Sequence, residues 1–287
     1  MLSKFHYSKP ETLEEALSYL EENPETKILA GGTDLIILLN RNKLKCNHIL
    51  DIKAIPEGQE LSYTEEDLFI GAGITVNQIC ESNIIREKYS ALAEAADNLA
   101  SYQIRNRATL VGNICNASPG ADLAGPLLVY DAKVHIASTE GNRLVGIDEF
   151  FIGVRQTVVK ENEIVIGVSI PKVEIGDRSI YLRKSRIKGH DLCNVGLALR
   201  LTPEEKLQMA IAAVARTPLR LVEIEEAIDG KELDYDLIEW ISQEIKKYME
   251  PRKGSIRSTP EYRYHIAEVL TKRGLSKFIE EEASQYV

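Results

Sequence analysis

The chain has 287 residues, of which 44% are apolar and 28% charged, the balance of a globular protein with a sizeable core. This length predicts one large domain or two ordinary domains. The 44 acidic residues outnumber the 35 basic ones, which argues against nucleic acid as a partner. No apolar run approaches the ~18 residues of a membrane span. Because no apolar signal-peptide core is present either, we expect a cytoplasmic protein.

The first ~55 residues predict a small parallel unit, with strand, helix and strand in alternation. Thr12 and Glu15 have the spacing of a helix-capping box, and the apolar residues that follow repeat on one helical face, at Leu13, Ala16, Leu17 and Leu20. Residues 27–30 and 48–52 are short apolar runs typical of buried strands, and residues 35–40 predict a second short helix.

The middle of the chain predicts further strands near 68–75, 134–137 and 164–170, with an alanine-rich helix over 89–100. Between them, residues 101–126 are rich in Gly, Asn and Ser and predict a long irregular loop. Loops of that length in compact domains are usually functional.

The pattern changes after Pro171. Strands are predicted at 179–184, 195–201 and 207–214, followed by helices at 219–228, 235–248 and 256–273, which indicates a separate α+β domain. We place the boundary near Ile175. The predicted organisation is therefore one domain over 1–175, with lobes of about 1–55 and 56–175, and a second domain over 176–287.

The cysteines, Cys46, Cys80, Cys115 and Cys193, are widely spaced and contain no C-x-x-C pair. Zinc sites and iron–sulfur clusters need closely spaced cysteine ligands, so we expect no metal in this chain and four buried, reduced thiols. The histidines have no ligand spacing, and no G-x-S-x-G elbow is present.

The segment Ala30-Gly31-Gly32-Thr33-Asp34-Leu35 joins a predicted strand to a predicted helix through two glycines. Adjacent glycines permit positive φ and close approach of the backbone to a ligand. Free N–H groups in such a turn favour an anion. The segment therefore suits either a phosphate or pyrophosphate, or a plain tight turn.

A second segment, residues 105–123, contains many small hydrogen-bonding side chains and little bulk. Such a stretch can wrap a ribityl chain or a nucleotide, and the alternative is a surface loop. The patterns G-x-G-x-x-G and G-x-x-x-x-G-K-[ST] are both absent, which disfavours a Rossmann cofactor site and a P-loop.

These two segments, together with Gln103-Ile104-Arg105-Asn106, resemble the FAD-binding (medium) subunit of the molybdenum hydroxylases, which include xanthine, carbon monoxide and nicotinate dehydrogenases. The resemblance extends over essentially the whole chain. It implies an α+β protein with a two-lobed FAD-binding domain of the vanillyl-alcohol oxidase-like type. A small C-terminal domain with a three-stranded sheet and three helices would follow.

The resemblance also implies a function. Substrate would be hydroxylated at a molybdenum–pterin site on a large partner subunit, and electrons would pass through two-iron clusters on a small subunit to noncovalently bound FAD. The flavin would reduce an acceptor such as NAD. The isoalloxazine carries the redox chemistry, so no residue of this chain is expected to be catalytic in the acid–base sense.

Residue by residue, Ala30 to Leu35 match the first pyrophosphate loop of the family, namely Ala30, Gly31, Gly32, Thr33, Asp34 and Leu35. The second FAD loop is matched by Thr109, Gly112 and Asn113, and its continuation along the ribityl and nucleotide part by Ser118 and Asp122. Lys184 matches, more loosely, a lysine near the flavin ring, or else forms a solvated basic edge. Val111 stands where the family commonly has glycine, which predicts a restricted backbone approach at that position.

Two other functions remain open from the sequence. One is a self-contained FAD-dependent oxidoreductase of the same two-lobed fold, which iron and molybdenum partners in the purified material would exclude. The other is a structural subunit that has lost its flavin, which a flavin absorption spectrum would exclude.

Overall fold

The computed structural model describes residues 4–187 and 191–285. The chain begins with alternating short strands and helices: β1 (His6–Ser8), α1 (Leu13–Glu22), β2 (Lys27–Leu29), α2 (Leu35–Asn40) and β3 (His48–Asp51). The strands form a parallel sheet in the order β1-β3-β2. The predicted parallel unit is confirmed, with the additional strand β1 that the sequence pattern did not indicate.

Helix α1 begins where the capping residues predict it. The Thr12 hydroxyl accepts a hydrogen bond from the Glu15 N–H at 3.2 Å, which satisfies one of the free donors of the first turn. The Glu15 carboxylate accepts from the Glu11 N–H instead of from Thr12, so only half of the capping box forms. Ala16 and Leu17, on the apolar face of α1, are buried.

The middle of the chain is built on a five-stranded antiparallel sheet in the order β4-β5-β10-β6-β7. A 3₁₀ turn at Pro56–Gln59 leads into it, and β8 and β9 form a separate small hairpin. In chain order the elements are β4 (Leu61–Tyr63), β5 (Asp67–Gly71), α3 (Val76–Glu81), α4 (Asn83–Lys88), α5 (Ser90–Asn98), α6 (Tyr102–Arg105), α7 (Leu110–Cys115), α8 (Ala124–Val129), β6 (Lys133–Ser138), β7 (Gly141–Gly146), α9 (Ile147–Phe150), β8 (Phe151–Gly153), β9 (Gln156–Thr157) and β10 (Ile164–Pro171).

The prediction of an irregular loop over 101–126 is wrong, because this stretch contains α6, α7 and the start of α8. Helices of four to six residues are too short to show a 3.6-residue apolar repeat. Ser101 and Thr109 cap α6 and α7 by accepting backbone N–H groups through their hydroxyls. The predicted alanine-rich helix is confirmed as α5.

The C-terminal part contains β11 (Arg178–Lys184), β12 (Val195–Leu201), β13 (Leu207–Ala212), β14 (Leu219–Arg220), α10 (Val222–Ile228), α11 (Tyr235–Glu244), a 3₁₀ turn (Ile245–Tyr248) and α12 (Pro260–Gln285). Its sheet has four strands rather than the three expected, because the start of the predicted helix 219–228 pairs with β13. Residues 256–259 precede α12 rather than belonging to it, since Pro260 starts that helix, where a missing N–H costs nothing.

Two hydrophobic clusters lie on opposite faces of this C-terminal sheet. Tyr181 and Ala198 belong to the large cluster of the first part of the chain, whereas Leu197 and Leu199 pack with α10, α11 and α12. Between the sheet and the first part lies α8, whose residues are all buried. Because side chains alternate along each strand, one face of the sheet packs against the first part of the chain and the other face packs against the C-terminal helices. Within the described ranges, no helix is long and apolar enough to cross a membrane.

Candidate functional site

The first glycine segment forms the turn between β2 and α2. Gly32 has φ +75°, which glycine adopts without steric cost, and its carbonyl accepts the Ile36 N–H at 3.1 Å. The N–H groups of Gly31 and Gly32, and those of Thr33 and Asp34, donate to no acceptor among the described residues. Consecutive unpaired N–H groups form an anion-binding concavity.

The two glycine segments of the sequence meet at Gly31. A Cβ atom built on Gly31 would lie 2.0 Å from the carbonyl oxygen of Arg107 and 3.0 Å from the Cα of Ala108. No side chain fits in that space, so glycine is required for the two backbones to touch. The turn after β2 is thereby held against the chain that leads into α7.

The second segment is anchored to α3. The Ala108 carbonyl accepts the Val76 N–H at 2.8 Å, and Thr75 and Thr109 form an isolated β-bridge. The buried Thr109 hydroxyl accepts the Gly112 N–H at 2.9 Å. Thr109 therefore shapes the start of α7.

Asn77 on α3 was missed by sequence reasoning. Its side chain is buried and its amide nitrogen donates to the Tyr102 carbonyl at 3.0 Å and to the Asn106 side chain at 2.6 Å. Its amide oxygen accepts from the Arg105 guanidinium at 3.1 Å. These bonds fix the chain just before the contact with Gly31. A single asparagine inside a helix gives no local sequence signal for such a role.

The side chains of α7 divide between the partly exposed surface and the core. Gly112 and Asn113 are partly exposed, and the Asn113 side-chain oxygen accepts the Leu123 N–H at 3.4 Å. Val111 is 4% exposed and belongs to the large hydrophobic cluster. Its side chain points into the core, so the expectation that it restricts the backbone approach to a ligand is wrong.

Residues 117–122 form a loop that is bonded to both parts of the chain; we refer to it as the 117–122 loop. The Ala117 carbonyl accepts the Arg155 N–H at 2.9 Å, and the Ser118 hydroxyl accepts the Gly120 N–H at 3.4 Å. At the other end, the Asp122 carboxylate accepts the Tyr181 hydroxyl at 2.8 Å. The loop is therefore held in one shape from several directions.

Asp122 lies in a buried polar cluster with Tyr181, Arg183 and Cys193. Its carboxylate forms an ion pair with the Arg183 Nε at 3.3 Å, without hydrogen-bond geometry. Burial raises the pKa of Asp122, and the Arg183 guanidinium opposes this shift. Burial also raises the pKa of Cys193 to about 12, so its thiol stays protonated at neutral pH. Asp122 thus fastens the loop to the C-terminal sheet.

Lys184 is not brought to this group by the structure. It is exposed at the end of β11, and strand alternation places it on the face opposite Arg183. Just before β12, Asn194 donates its N–H to the Lys184 carbonyl at 2.8 Å. The Asn194 side chain is fully buried, and neither of its polar atoms has a partner among the described residues. An unpaired buried amide marks a place where a further polar partner belongs.

All four cysteines are free. Cys80 and Cys193 are buried as expected, whereas Cys46 is half-buried and Cys115 is exposed, so the prediction of four buried thiols is wrong for these two. Across residues 4–187 and 191–285, no group of three or more His, Cys, Asp or Glu side chains could hold a metal ion.

A glycine turn with unpaired N–H groups, packed against a second capped loop, suits a phosphate-bearing cofactor, and comparison with known families identifies the class of protein. The family model described as the FAD binding domain in molybdopterin dehydrogenase matches residues 3–173. The CO dehydrogenase flavoprotein C-terminal domain matches residues 180–278. The chain belongs to this family of flavoprotein subunits.

Individual relatives agree with this assignment. The chain is 33% identical to the xanthine dehydrogenase FAD-binding subunit of Escherichia coli O157:H7 over 95% of both chains. It is 30% identical to the glyceraldehyde dehydrogenase medium chain of Sulfolobus acidocaldarius, over 96% of this chain and 98% of that one. The structure of a carbon monoxide dehydrogenase from Hydrogenophaga pseudoflava, described as lacking the Mo-pyranopterin moiety of its cofactor, matches with a TM-score of 0.92 at 28% identity. That match covers 96% of this chain and 97% of the other.

The protein is accordingly an FAD-binding subunit of a molybdenum hydroxylase-type oxidoreductase, and the molybdenum–pterin and iron–sulfur groups of such complexes lie on other subunits. The residues present fit the dinucleotide. The turn at Gly31 offers unpaired N–H groups to a pyrophosphate, and its closeness to Arg107 leaves no room for a side chain.

Proposed function

We propose that this subunit takes electrons from the iron–sulfur clusters of a small partner subunit and passes them through FAD to an acceptor such as NAD. The bound isoalloxazine would supply the redox chemistry. The contact between the two glycine segments carries the proposal, because it forms a rigid cradle of unpaired N–H groups for the anionic part of the cofactor.

The chain's own residues would bind and orient the cofactor. The backbone from Ala30 to Leu35 would hold the pyrophosphate, and the chain from Thr109 to Asn113 would line the dinucleotide. The 117–122 loop would lie along the ribityl part, with Ser118 and Asp122 holding its shape. Lys184, whose side chain is exposed, would lie near the flavin ring.

We also propose how the chain is divided into domains. We infer a two-lobed FAD-binding domain of the vanillyl-alcohol oxidase-like type over 1–175, with lobes of about 1–55 and 56–175, and a C-terminal domain over 176–287. The separate hydrophobic clusters of the two parts support this division. We also propose a cytoplasmic location.

Reconstitution with partner subunits tests the electron path. The FAD-loaded chain is mixed anaerobically with dithionite-reduced small iron–sulfur subunit freed of excess reductant, and the flavin absorbance is followed. Bleaching at a rate that depends on the small subunit, followed by recovery on adding NAD, is the expected result. If the flavin stays oxidised in the assembled complex, the proposed path is wrong. If the isolated chain oxidises an organic substrate by itself, it is a self-contained flavoenzyme.

A further inference from the structure

The 117–122 loop is bonded to the C-terminal part at a strained residue. The Ala213 N–H donates to the Pro119 carbonyl at 2.6 Å, and a Cβ built on Gly120 would lie 3.4 Å from that of Ala213. Ala213 itself has φ +68°, the left-handed conformation that L-residues other than glycine avoid. Surrounding contacts must therefore hold Ala213 in place.

The buried side chain of Arg263, on α12, keeps Ala213 in this conformation. Arg263 is 5% exposed, and its guanidinium donates to the Ala213 carbonyl. Its remaining nitrogens donate to the Ser258 hydroxyl at 2.9 Å and the Ser255 hydroxyl at 3.1 Å. None of its described hydrogen-bond partners is a carboxylate. A buried arginine is costly unless its donors are used, and here they are used to fix one backbone carbonyl.

We propose that Arg263 is a positioning residue for the flavin, acting through Ala213 on the 117–122 loop. The inference rests on the proposed contact between that loop and FAD. The path has three steps: Arg263 fixes the Ala213 carbonyl, the left-handed turn aims the Ala213 N–H at Pro119, and this bond fixes the 117–122 loop, which would line the cofactor. The C-terminal domain thereby takes part in FAD binding through contacts within the chain.

The matched control is Arg178, which also joins the C-terminal sheet to α12. Its guanidinium donates to the Phe278 carbonyl at 2.8 Å, and no bond to the 117–122 loop is described for it. Arg178→Gln and Arg263→Gln each remove an arginine–carbonyl bond from the same domain. If lost stability alone weakens binding, both variants lose FAD affinity. A positioning role lowers the FAD affinity of Arg263→Gln only.

The experiment titrates apoprotein with FAD by fluorescence quenching, well below the melting temperature of each variant, and records the visible spectrum. We expect Arg263→Gln to weaken FAD binding roughly tenfold, the equilibrium cost of holding alanine left-handed, and to shift the flavin bands. Arg178→Gln should bind FAD like wild type. Adding Ala213→Gly to Arg263→Gln should restore most of the affinity, because glycine adopts φ +68° without the steric cost that alanine pays.

Equal losses in the two arginine variants, or no recovery with Ala213→Gly, would overturn the proposal. If Arg263→Gln does not fold, Ala213→Val serves instead, since it leaves Arg263 intact and penalises the left-handed turn. Wild-type affinity in a folded Ala213→Val protein would then refute the inference. Failure of the proposed function is distinguishable, because the electron-path assay would then fail in the wild-type complex, whatever the FAD affinities of these variants.

Discussion

Replacing Gly31 by alanine tests the contact that builds the candidate site. The new Cβ would lie 2.0 Å from the Arg107 carbonyl oxygen, whereas a close carbon–oxygen contact is about 3.3 Å. The two backbones must therefore separate by more than ~1 Å. Because both are main chain, no side chain can rotate away to relieve the overlap.

The separation misplaces N–H groups that would face the pyrophosphate. A hydrogen bond to a charged group contributes about 1.5–3 kcal/mol, so losing one raises the FAD dissociation constant roughly 13- to 160-fold. Gly32→Ala should cost less, about 1–2 kcal/mol for its positive φ, since its closest neighbour is the end of the Leu29 side chain. Gly32→Val should remove most of the affinity, because a β-branched side chain is stiffer and bulkier there.

Gly230 is a matched control for the positive φ of Gly32, which Gly31 does not share. It has φ +70° and nothing within 4 Å of its built Cβ, so Gly230→Ala carries the conformational penalty without the clash. FAD titration and thermal unfolding of each apoprotein separate binding from folding. A folded Gly31→Ala protein with wild-type FAD affinity would refute the cradle, as would an equal loss of affinity in Gly230→Ala.

Three further predictions concern the cofactor and the fold. Acid denaturation should release about one FAD per chain into solution, since noncovalent binding is expected; FMN, or colour kept in the precipitate, would contradict this. Val111→Gly should keep its FAD affinity but lose about 3 kcal/mol in denaturant unfolding, from lost burial and helix propensity; lost affinity at full stability would place Val111 on the ligand. The hydrogen bond from Arg143 lowers the pKa of the buried Glu163 carboxyl. The stability that this pair contributes to the fold is therefore complete above the unfolded-state pKa near 4.3, and it is lost as pH falls through the folded-state pKa. Glu163→Gln should therefore unfold more easily by about 1–2 kcal/mol at pH 7, with the difference from wild type shrinking in acid, whereas the exposed Glu161→Gln should differ little at any pH.

Sequence predicts those parts of the site in which the interacting residues are neighbours along the chain. Two adjacent glycines between an apolar run and a helix start indicate an anion-binding turn, and the structure confirms both the positive φ of Gly32 and the unpaired N–H groups. The Thr12 cap and the apolar face of α1 are equally local and equally well predicted. In each case the residues that interact lie within a few positions of one another.

The parts that sequence misses depend on distant partners. Asn77 holds a segment more than twenty residues away, and Asp122 reaches across to Tyr181, so neither role leaves a pattern of spacing. The place of Lys184 near the flavin ring stays a prediction. It stands next to Arg183, which contacts Asp122, and a shift of one residue along a strand moves a side chain to the other face.

The oxygen atoms of the candidate side chains are largely engaged within the protein. Thr109, Asn113 and Ser118 each accept a backbone N–H, and Asp122 accepts the Tyr181 hydroxyl. The unpaired main-chain N–H groups of the glycine turn are donors that substitution of a side chain does not remove. Replacements at these four positions should therefore act through loop geometry, whereas replacements at Gly31 act on the donors themselves. The candidate site is therefore specified mainly by the shape of the backbone.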